Sequence, residues 1–391
     1  MITKKTTAMV LGAGRMGRAA AWDLAKHPNV KCIYLVDHRS IALATVTNEL
    51  KDLDVDVRTV IADLSDTQMT ISLMKQCGVV ISSADYRFNE QLTDAAIKAR
   101  THFCDLGGNM FVVEKQLAMS DAAKSAGITV IPDCGLAPGM AGLLAALGIQ
   151  RLDHVDDVKM RVGGLPAHPK PPLNYKLVFS VRGLMNEYIE PAEVIRDGSI
   201  MRIPSLKDVE ELKFTMPYGQ MEAFTTSGGS STLPRTFLGK VKNLDYKTIR
   251  YPGHAAIFSA MQDAGLLSGV RDESASVGTV SPRELTETIL EKTLSDDDED
   301  VILLRVTVSG IHRGVEGRWV FELIDHHDVE TGHSAIARTT AYSAATVAHM
   351  LLSEMIEERG VLAGESVVPL DRYIRTMRSR GINITERWER T

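Results

Sequence analysis

The chain has 391 residues, a formal net charge of −6, a hydrophobic share of 44% and a charged share of 24%. That is more chain than one hydrophobic core usually serves, and two domains are expected. The acidic balance offers no footprint for nucleic acid, and no run of about 18 apolar residues marks a membrane span. The four cysteines, Cys32, Cys77, Cys104 and Cys134, are widely spaced with no CxxC pair, which argues for reduced thiols over a disulfide framework or a metal site. The N-terminal MITKKTTAMVLGAG reaches a strand and a turn too early to hold a signal peptide, so a cytoplasmic protein is expected.

In chain order, the first third alternates apolar runs with helix-like segments. The predicted strands are TAMVL (7–11), CIYLVD (32–37), VRTVIAD (57–63), VVISSA (79–84), HFCDL (102–106) and ITVIPD (128–133). Segments such as MGRAAAWDLAKH and NEQLTDAAIKAR lie between them with Ala and Leu at helical spacing. Strands alternating with helices imply βαβ units and a parallel sheet.

From about 155 to 330 the texture changes. VKMRVGG, LVFSVRG, EAFTTS, YKTIRY, VILLRVTVSG and GRWVFELID read as longer strands with few helices between them. A largely antiparallel or mixed sheet is expected there. The acidic run SDDDED (295–300) reads as a solvated loop, and AIARTTAYSAATVAHMLLSEMIEE (335–358) as one long amphipathic helix. The expected division is 1–137, 138–334, and a C-terminal return to the first domain over 335–391.

Gly12, Gly14 and Gly17, with Ala13, Arg15 and Met16 between them, form a GxGxxG directly after the first strand and at the start of a helix. The second strand ends in Asp37, at the spacing of a carboxylate that bonds a ribose 2′-hydroxyl. Together these read as a dinucleotide site on a doubly wound, Rossmann-type α/β sheet, with the phosphates on the helix N-terminus. Asp37 would repel a 2′-phosphate and favours NAD; Arg39, two residues on, could accommodate NADP. Ligands of such sheets lie beyond the strand carboxyl ends. Ser83 and Tyr86, then Asp105, then Asp133 and Cys134 fall in that zone, and Asp63 could face the adenine or cap a helix.

Several longer motifs carry a resemblance: GAGRMG, DLGGN, PDCGLAPGM, VGGLPAHPKPPLNYKLVFSVRGLMNEY, EAFTTSGGSSTLPRTF and DYKTIRYPGHA. Through them nearly the whole chain resembles the saccharopine dehydrogenase (glutamate-forming) superfamily, and within it the lysine 6-dehydrogenase branch. The resemblance implies a Rossmann domain, a second α/β domain that mediates homo-oligomerisation, and NAD-dependent oxidation of the lysine side chain. The saccharopine-specific branch often carries an acidic residue in a GLDPG-type motif, where this chain has Ala137.

Such a reaction passes hydride from the ε-carbon and leaves an iminium that water hydrolyses to 2-aminoadipate 6-semialdehyde and ammonia. The semialdehyde can cyclise to a piperideine carboxylate. Hydride leaves only from the neutral amine, and deprotonating a lysine side chain of pKa about 10.4 at pH 7 costs about 4–5 kcal/mol. Asp105, Tyr86 and His254 are the candidates for that proton transfer. In KTIRYPGHA, Arg250 suits a substrate carboxylate, and strand alternation places Lys247 on the opposite face as a solvated or interface cation. EAFTTSGG adds Glu222 for the α-ammonium and hydroxyls at Thr225, Thr226 and Ser227, with Arg235 a second anion partner. Two other readings remain: a reductase that makes saccharopine or a carboxy-polyamine, which would demand more cations, and a non-catalytic NAD-binding sensor, which would keep GAGRMG but need no donor-rich pocket.

Overall fold

A computed structural model describes residues 2–270, 281–294 and 299–391. Residues 295–298 of the acidic run lie outside them. The chain divides into two units. Residues 1–150, 231–236 and 337–384 form the first, and 151–230, 237–336 and 385–391 form the second.

The first unit is built on a seven-stranded sheet. In spatial order its strands are Gly360–Val361, Thr129–Ile131, His102–Asp105, Val79–Ser82, Thr7–Leu11, Cys32–Asp37 and Asp56–Ile61, and each adjoining pair runs parallel. Every residue of Thr7–Leu11 and Cys32–Asp37 is buried, as expected for parallel strands covered on both faces. The strand predicted over 57–63 ends at Ile61, because Asp63 Oδ1 accepts the Ser65 N–H and turns the chain. The strand predicted over 128–133 ends before Pro132, which has no N–H for the ladder.

The boundary falls after Gln150 rather than at 137. The helix Met140–Gln150, MAGLLAALGIQ, is apolar around its whole circumference and buries residues 140–148, so it belongs inside a core and not in a linker. The long helix runs Ala335–Leu352 and stops short of 358; Glu354, at φ 54°, is left-handed and cannot continue it.

The second unit carries a nine-stranded mixed sheet. Its main path is Glu210–Lys213, Gln220–Thr225, Val241–Arg250, His154–Pro166, Asp300–His312, Val315–His326 and Thr385–Arg390. Ala192–Arg196 and Ser199–Ile203 hang off Val241–Arg250. Only the pairing of Val241–Arg250 with His154–Pro166 is parallel among these ladders. The terminal strand pairs with Val315–His326, so 385–391 belongs here and not to a return into the first unit.

Two further expectations change. LVFSVRG is not a strand: Ser180 Oγ accepts the Gly183 N–H and opens the helix Val181–Ile189, which buries Leu184, Met185 and Tyr188 at helical spacing. Asp300, last of the acidic run, is not solvated. It is 2% exposed, and its carboxylate accepts the N–H groups of Ala335 and Ile336 at 2.6 and 2.9 Å.

Candidate functional site

In the first unit the glycine loop has the shape that a dinucleotide needs. Gly12 has φ 89°, and a Cβ there would meet Ser83 O at 3.0 Å. A Cβ on Gly17 would lie 1.7 Å from Gly12 O, so only glycine lets the helix Arg15–Ala25 approach the strand before it. Gly14 precedes that helix with no side-chain cap, which leaves the first-turn N–H groups of Arg15, Met16 and Gly17 for an anion. Asp37 Oδ2 accepts the Ala13 N–H at 2.7 Å, and Oδ1 accepts the Arg39 N–H at 2.8 Å and Arg39 Nε at 3.2 Å. These bonds hold the buried carboxyl below the usual carboxylate range against the cost of its burial. Ser83 Oγ is buried with no partner among the described residues, an orphan hydroxyl beside the loop. The glycine cradle, the uncapped helix and the orphan hydroxyl all fit a dinucleotide. Asp63 is exposed and holds its own turn, and it is Asp66 that caps the next helix.

At the neighbouring strand ends lie the acid–base candidates. Asp105 is fully buried and bonded through both oxygens. Its Oδ1 accepts the N–H groups of Gly107 at 2.8 Å and Asp133 at 3.1 Å, and its Oδ2 accepts Gln116 Nε2 at 2.8 Å. It ties two loops, and burial raises its carboxyl while these donors pull the other way. Tyr86, in the turn Tyr86–Phe88, lies against Gly108, whose Cβ would meet its ring at 3.1 Å. Asp133, not singled out for chemistry from sequence, has the more perturbed environment. Burial and the neighbouring Asp105 push its carboxyl up to about 8, and its Oδ1 has no partner among the described residues. Cys134 is inert by the same physics, its thiol raised by burial.

In the second unit, Arg250 sits at the end of Val241–Arg250 and is 2% exposed. Nε donates to Tyr188 Oη at 3.0 Å, Nη1 donates to Ile249 O at 2.9 Å, and the Tyr175 ring centroid lies 4.5 Å from Cζ. Burial raises the Tyr175 phenol, and the Arg250 charge beside it pulls the other way. No carboxylate pairs with this guanidinium among the described residues, although Glu187 is close enough to feel its charge. Burial raises the Glu187 carboxyl to about 7, and Arg250 pulls the other way. Glu187 was missed from sequence because nothing local marks it; only the fold brings it near Arg250.

His254 lies in the same cluster but is not a base. Nδ1 faces Leu173 O at 3.0 Å and must carry the proton, so Nε2 accepts from Tyr188 Oη at 2.9 Å. Burial and Arg250 push this imidazole down to about 3. It orients Tyr188, which orients Arg250.

The remaining assignments are corrected by where the side chains go. Glu222 faces Arg250 in register, yet its carboxylate turns to the N–H groups of Gly253 and Ala255 at 2.9 and 2.7 Å. It caps the helix His254–Asp263 and is not free for an ammonium. Lys247 does lie on the face opposite Arg250 but is neither solvated nor an interface cation. It is 6% exposed and donates to Glu210 and Asp208 O at 2.9 and 2.6 Å. Arg235 is paired with Glu114 at 2.5 Å. Ser227 Oγ donates to Asn186 O, Thr226 Oγ1 and Thr248 Oγ1 share a bond, and Thr225 Oγ1 is buried without a partner among the described residues.

Comparison with known proteins bears on both units. A family model described as the saccharopine dehydrogenase NADP binding domain matches residues 8–131, and one described as the saccharopine dehydrogenase C-terminal domain matches 135–382. The saccharopine dehydrogenase [NADP(+), L-glutamate-forming] of Pyricularia oryzae is 26% identical over 61% of this chain and 54% of its own length. For the alpha-aminoadipic semialdehyde synthase of Arabidopsis thaliana the identity is 24%, over 76% of this chain and 30% of that protein. The chain thus spans about half or less of these relatives. The carboxynorspermidine synthase of Vibrio cholerae is 25% identical with 95% and 94% of the two chains covered. The apo saccharopine dehydrogenase (L-Glu forming) from Saccharomyces cerevisiae shares the fold, with a TM-score of 0.78 over 98% of this chain and 99% of that one at 18% identity.

Proposed function

The chain belongs to the saccharopine dehydrogenase family, and on that premise we propose that it oxidises the ε-amino group of L-lysine to 2-aminoadipate 6-semialdehyde and ammonia with NAD. One observation carries the choice of an amino-acid substrate: Arg250 is a buried guanidinium with no carboxylate bonded to it among the described residues. A buried charge in that condition is costly unless a ligand anion completes it. A planar carboxylate matches its fork. Glu187, within electrostatic reach of Arg250 and raised by burial to about 7, would face an α-ammonium as an anion only once it is ionised. Ala137 in place of an acidic residue supports lysine over saccharopine.

The bound dinucleotide supplies the hydride acceptor; Gly12, Gly14, Gly17, Ser83 and Asp37 would hold it. Within the second unit, Arg250 would bind a carboxylate, and a neutral His254 keeps Tyr188 aligned on it. NAD is favoured by the Asp37 carboxylate, which is charged and already repels a 2′-phosphate. The description of the matching N-terminal model names NADP, and Arg39 beside Asp37 is the residue through which that preference would act.

A second reading is favoured by one comparison: a relative matched over 94% of its own length is named carboxynorspermidine synthase. A reductase of that kind would join an amine to an aldehyde and reduce the imine. The test is a screen of NAD and NADP with L-lysine, L-ornithine and saccharopine, run beside a reductive assay with diamines and a semialdehyde. Reduction of NAD on adding L-lysine alone is expected. Turnover of saccharopine faster than lysine, or activity in the reductive assay alone, overturns the reading.

A further inference from the structure

Asp133 and Ser231 are 98 positions apart in sequence, and the first unit brings them into a hydrogen bond in which Ser231 Oγ donates to Asp133 Oδ2. Both are non-glycine residues in the left-handed region, at φ 60° and φ 45°. Such backbone strain persists only where the surroundings over-determine it, and it clusters at functional sites. Asp133 follows the strand Thr129–Ile131, in the zone beyond the carboxyl ends where ligands of parallel sheets bind. Its Oδ1 is buried without a partner among the described residues, and a Cβ on Gly107 would come within 2.1 Å of it. Ser231 is half-buried and belongs to the short segment Ser231–Thr236 that the first unit takes from the middle of the chain.

We propose that Ser231 and Asp133 form a proton relay, in which the Ser231 hydroxyl takes a proton from the substrate ammonium as its own proton passes to the Asp133 carboxylate. The relay rests on the amine-oxidation reading above and names the group that reading needs. The balance is closed. R–CH2–NH3⁺ gives its proton through Ser231 to Asp133, the neutral amine gives a hydride to the oxidised dinucleotide, and water converts the iminium to aldehyde and ammonium. Asp133 then releases the proton to solvent.

The chemistry of the pair explains why the bond can work in both directions. When Asp133 is ionised it accepts from Ser231, and when it is protonated Ser231 Oγ is the acceptor within reach. Burial, Asp105 and Glu365 all raise the Asp133 carboxyl, to about 8, while Ser231 opposes them. Glu365 itself accepts Thr232 Oγ1 and Thr236 Oγ1 at 2.7 and 2.6 Å, which anchors the segment that carries Ser231. The adjacent Cys134 thiol is raised well above its ordinary value and stays neutral. Asp105 is a positioning residue here, since it accepts the Asp133 N–H.

The experiment compares wild type with Asp133→Asn, Ser231→Ala and Asp105→Asn. Asparagine tolerates the left-handed conformation, which keeps the first variant foldable. Expected for Asp133→Asn is a fall of about 10²–10⁴ in kcat/KM for amine oxidation and loss of the rise in rate through pH 8, with NADH affinity by fluorescence unchanged. Ser231→Ala should lose the same pH limb.

A second readout needs no substrate. Asp133 is neutral in the folded chain and ionised in the unfolded chain between about pH 4 and pH 8, so it lowers wild-type stability as pH rises through that window. Asp133→Asn should therefore gain on wild type in urea denaturation at pH 8 relative to pH 4. Parallel stability profiles overturn the relay, as does full activity in Asp133→Asn. A wild type that oxidises no amine overturns the proposed function and the relay's task with it. The stability comparison still decides whether Asp133 is the titrating group.

Discussion

The Tyr188 hydroxyl accepts Arg250 Nε at 3.0 Å and donates to His254 Nε2 at 2.9 Å, so one phenol fixes the orientation of a buried cation through a neutral imidazole. Arg250→Ala should lose about 10²–10³ in kcat/KM, the scale of removing one member of a buried charge pair. NADH affinity should not change, because the glycine cradle is built from other residues. Tyr188→Phe leaves two buried polar groups unpaired and should cost about 1–3 kcal/mol in stability for each. Lys247→Ala should act on stability instead of catalysis, since Lys247 serves Glu210 on the other face. Equal catalytic losses from Arg250→Ala and Lys247→Ala would show that the strand is scaffold alone.

Glu222 is expected to behave as a helix cap. Glu222→Ala should destabilise the chain by about 0.5–2 kcal/mol in urea denaturation, the range for losing a capping side chain. A rise in KM for the amino acid with unchanged stability would instead restore Glu222 as a substrate ligand.

Asp37→Ala removes the acceptor of the Ala13 N–H and releases Arg39. Hydrogen bonds to a charged group contribute about 1.5–3 kcal/mol each. NADH should weaken by about 10-fold or more, and the NADPH to NADH affinity ratio should rise. Fluorescence titration of both nucleotides reads this directly, and a wild type that already prefers NADPH would assign the choice to Arg39.

The His27 and His349 rings lie tilted by 35° with centroids 3.3 Å apart, and Ser353 Oγ lies 2.9 Å from His349 Nε2. Burial first, then Arg380, lowers His27 to about 4; burial, then His27, Arg380 and Arg372, lowers His349 to about 3. Both are neutral when folded and protonated when unfolded below about pH 6.5. Stability should therefore fall as pH drops from 6.5 toward 4. The double variant His27→Gln/His349→Gln should flatten that slope in thermal melts from pH 7 to pH 4. An unchanged slope would place the acid sensitivity elsewhere, with His102 and His254 the next groups of the same sign.

Much of the first unit is readable from local pattern. The glycines at 12, 14 and 17 and the carboxylate at 37 act through turn geometry and a strand end within 26 residues, and both are properties of a short stretch of chain. Strand parity likewise separates Lys247 from Arg250, since side chains three apart on a strand point to opposite faces. What parity could not say is that both would be buried. The LVFSVRG stretch misled for a related reason. Its apolar run suits a strand, and only the Ser180 cap and the packing of Leu184 and Tyr188 select a helix.

The sequence by itself determined the parallel nucleotide-binding sheet and the glycine cradle, because period and turn chemistry are local and survive any packing. Tertiary structure alone decided which polar side chain is spent and which is left over. Glu222 was claimed by a helix N-terminus that starts 32 residues later, and Asp105 by three donors. Arg250 was left without a carboxylate among the described residues, and Asp133 met Ser231 from a distant segment. A buried polar atom must find partners wherever the fold puts them, and that accounting is settled between distant parts of the chain.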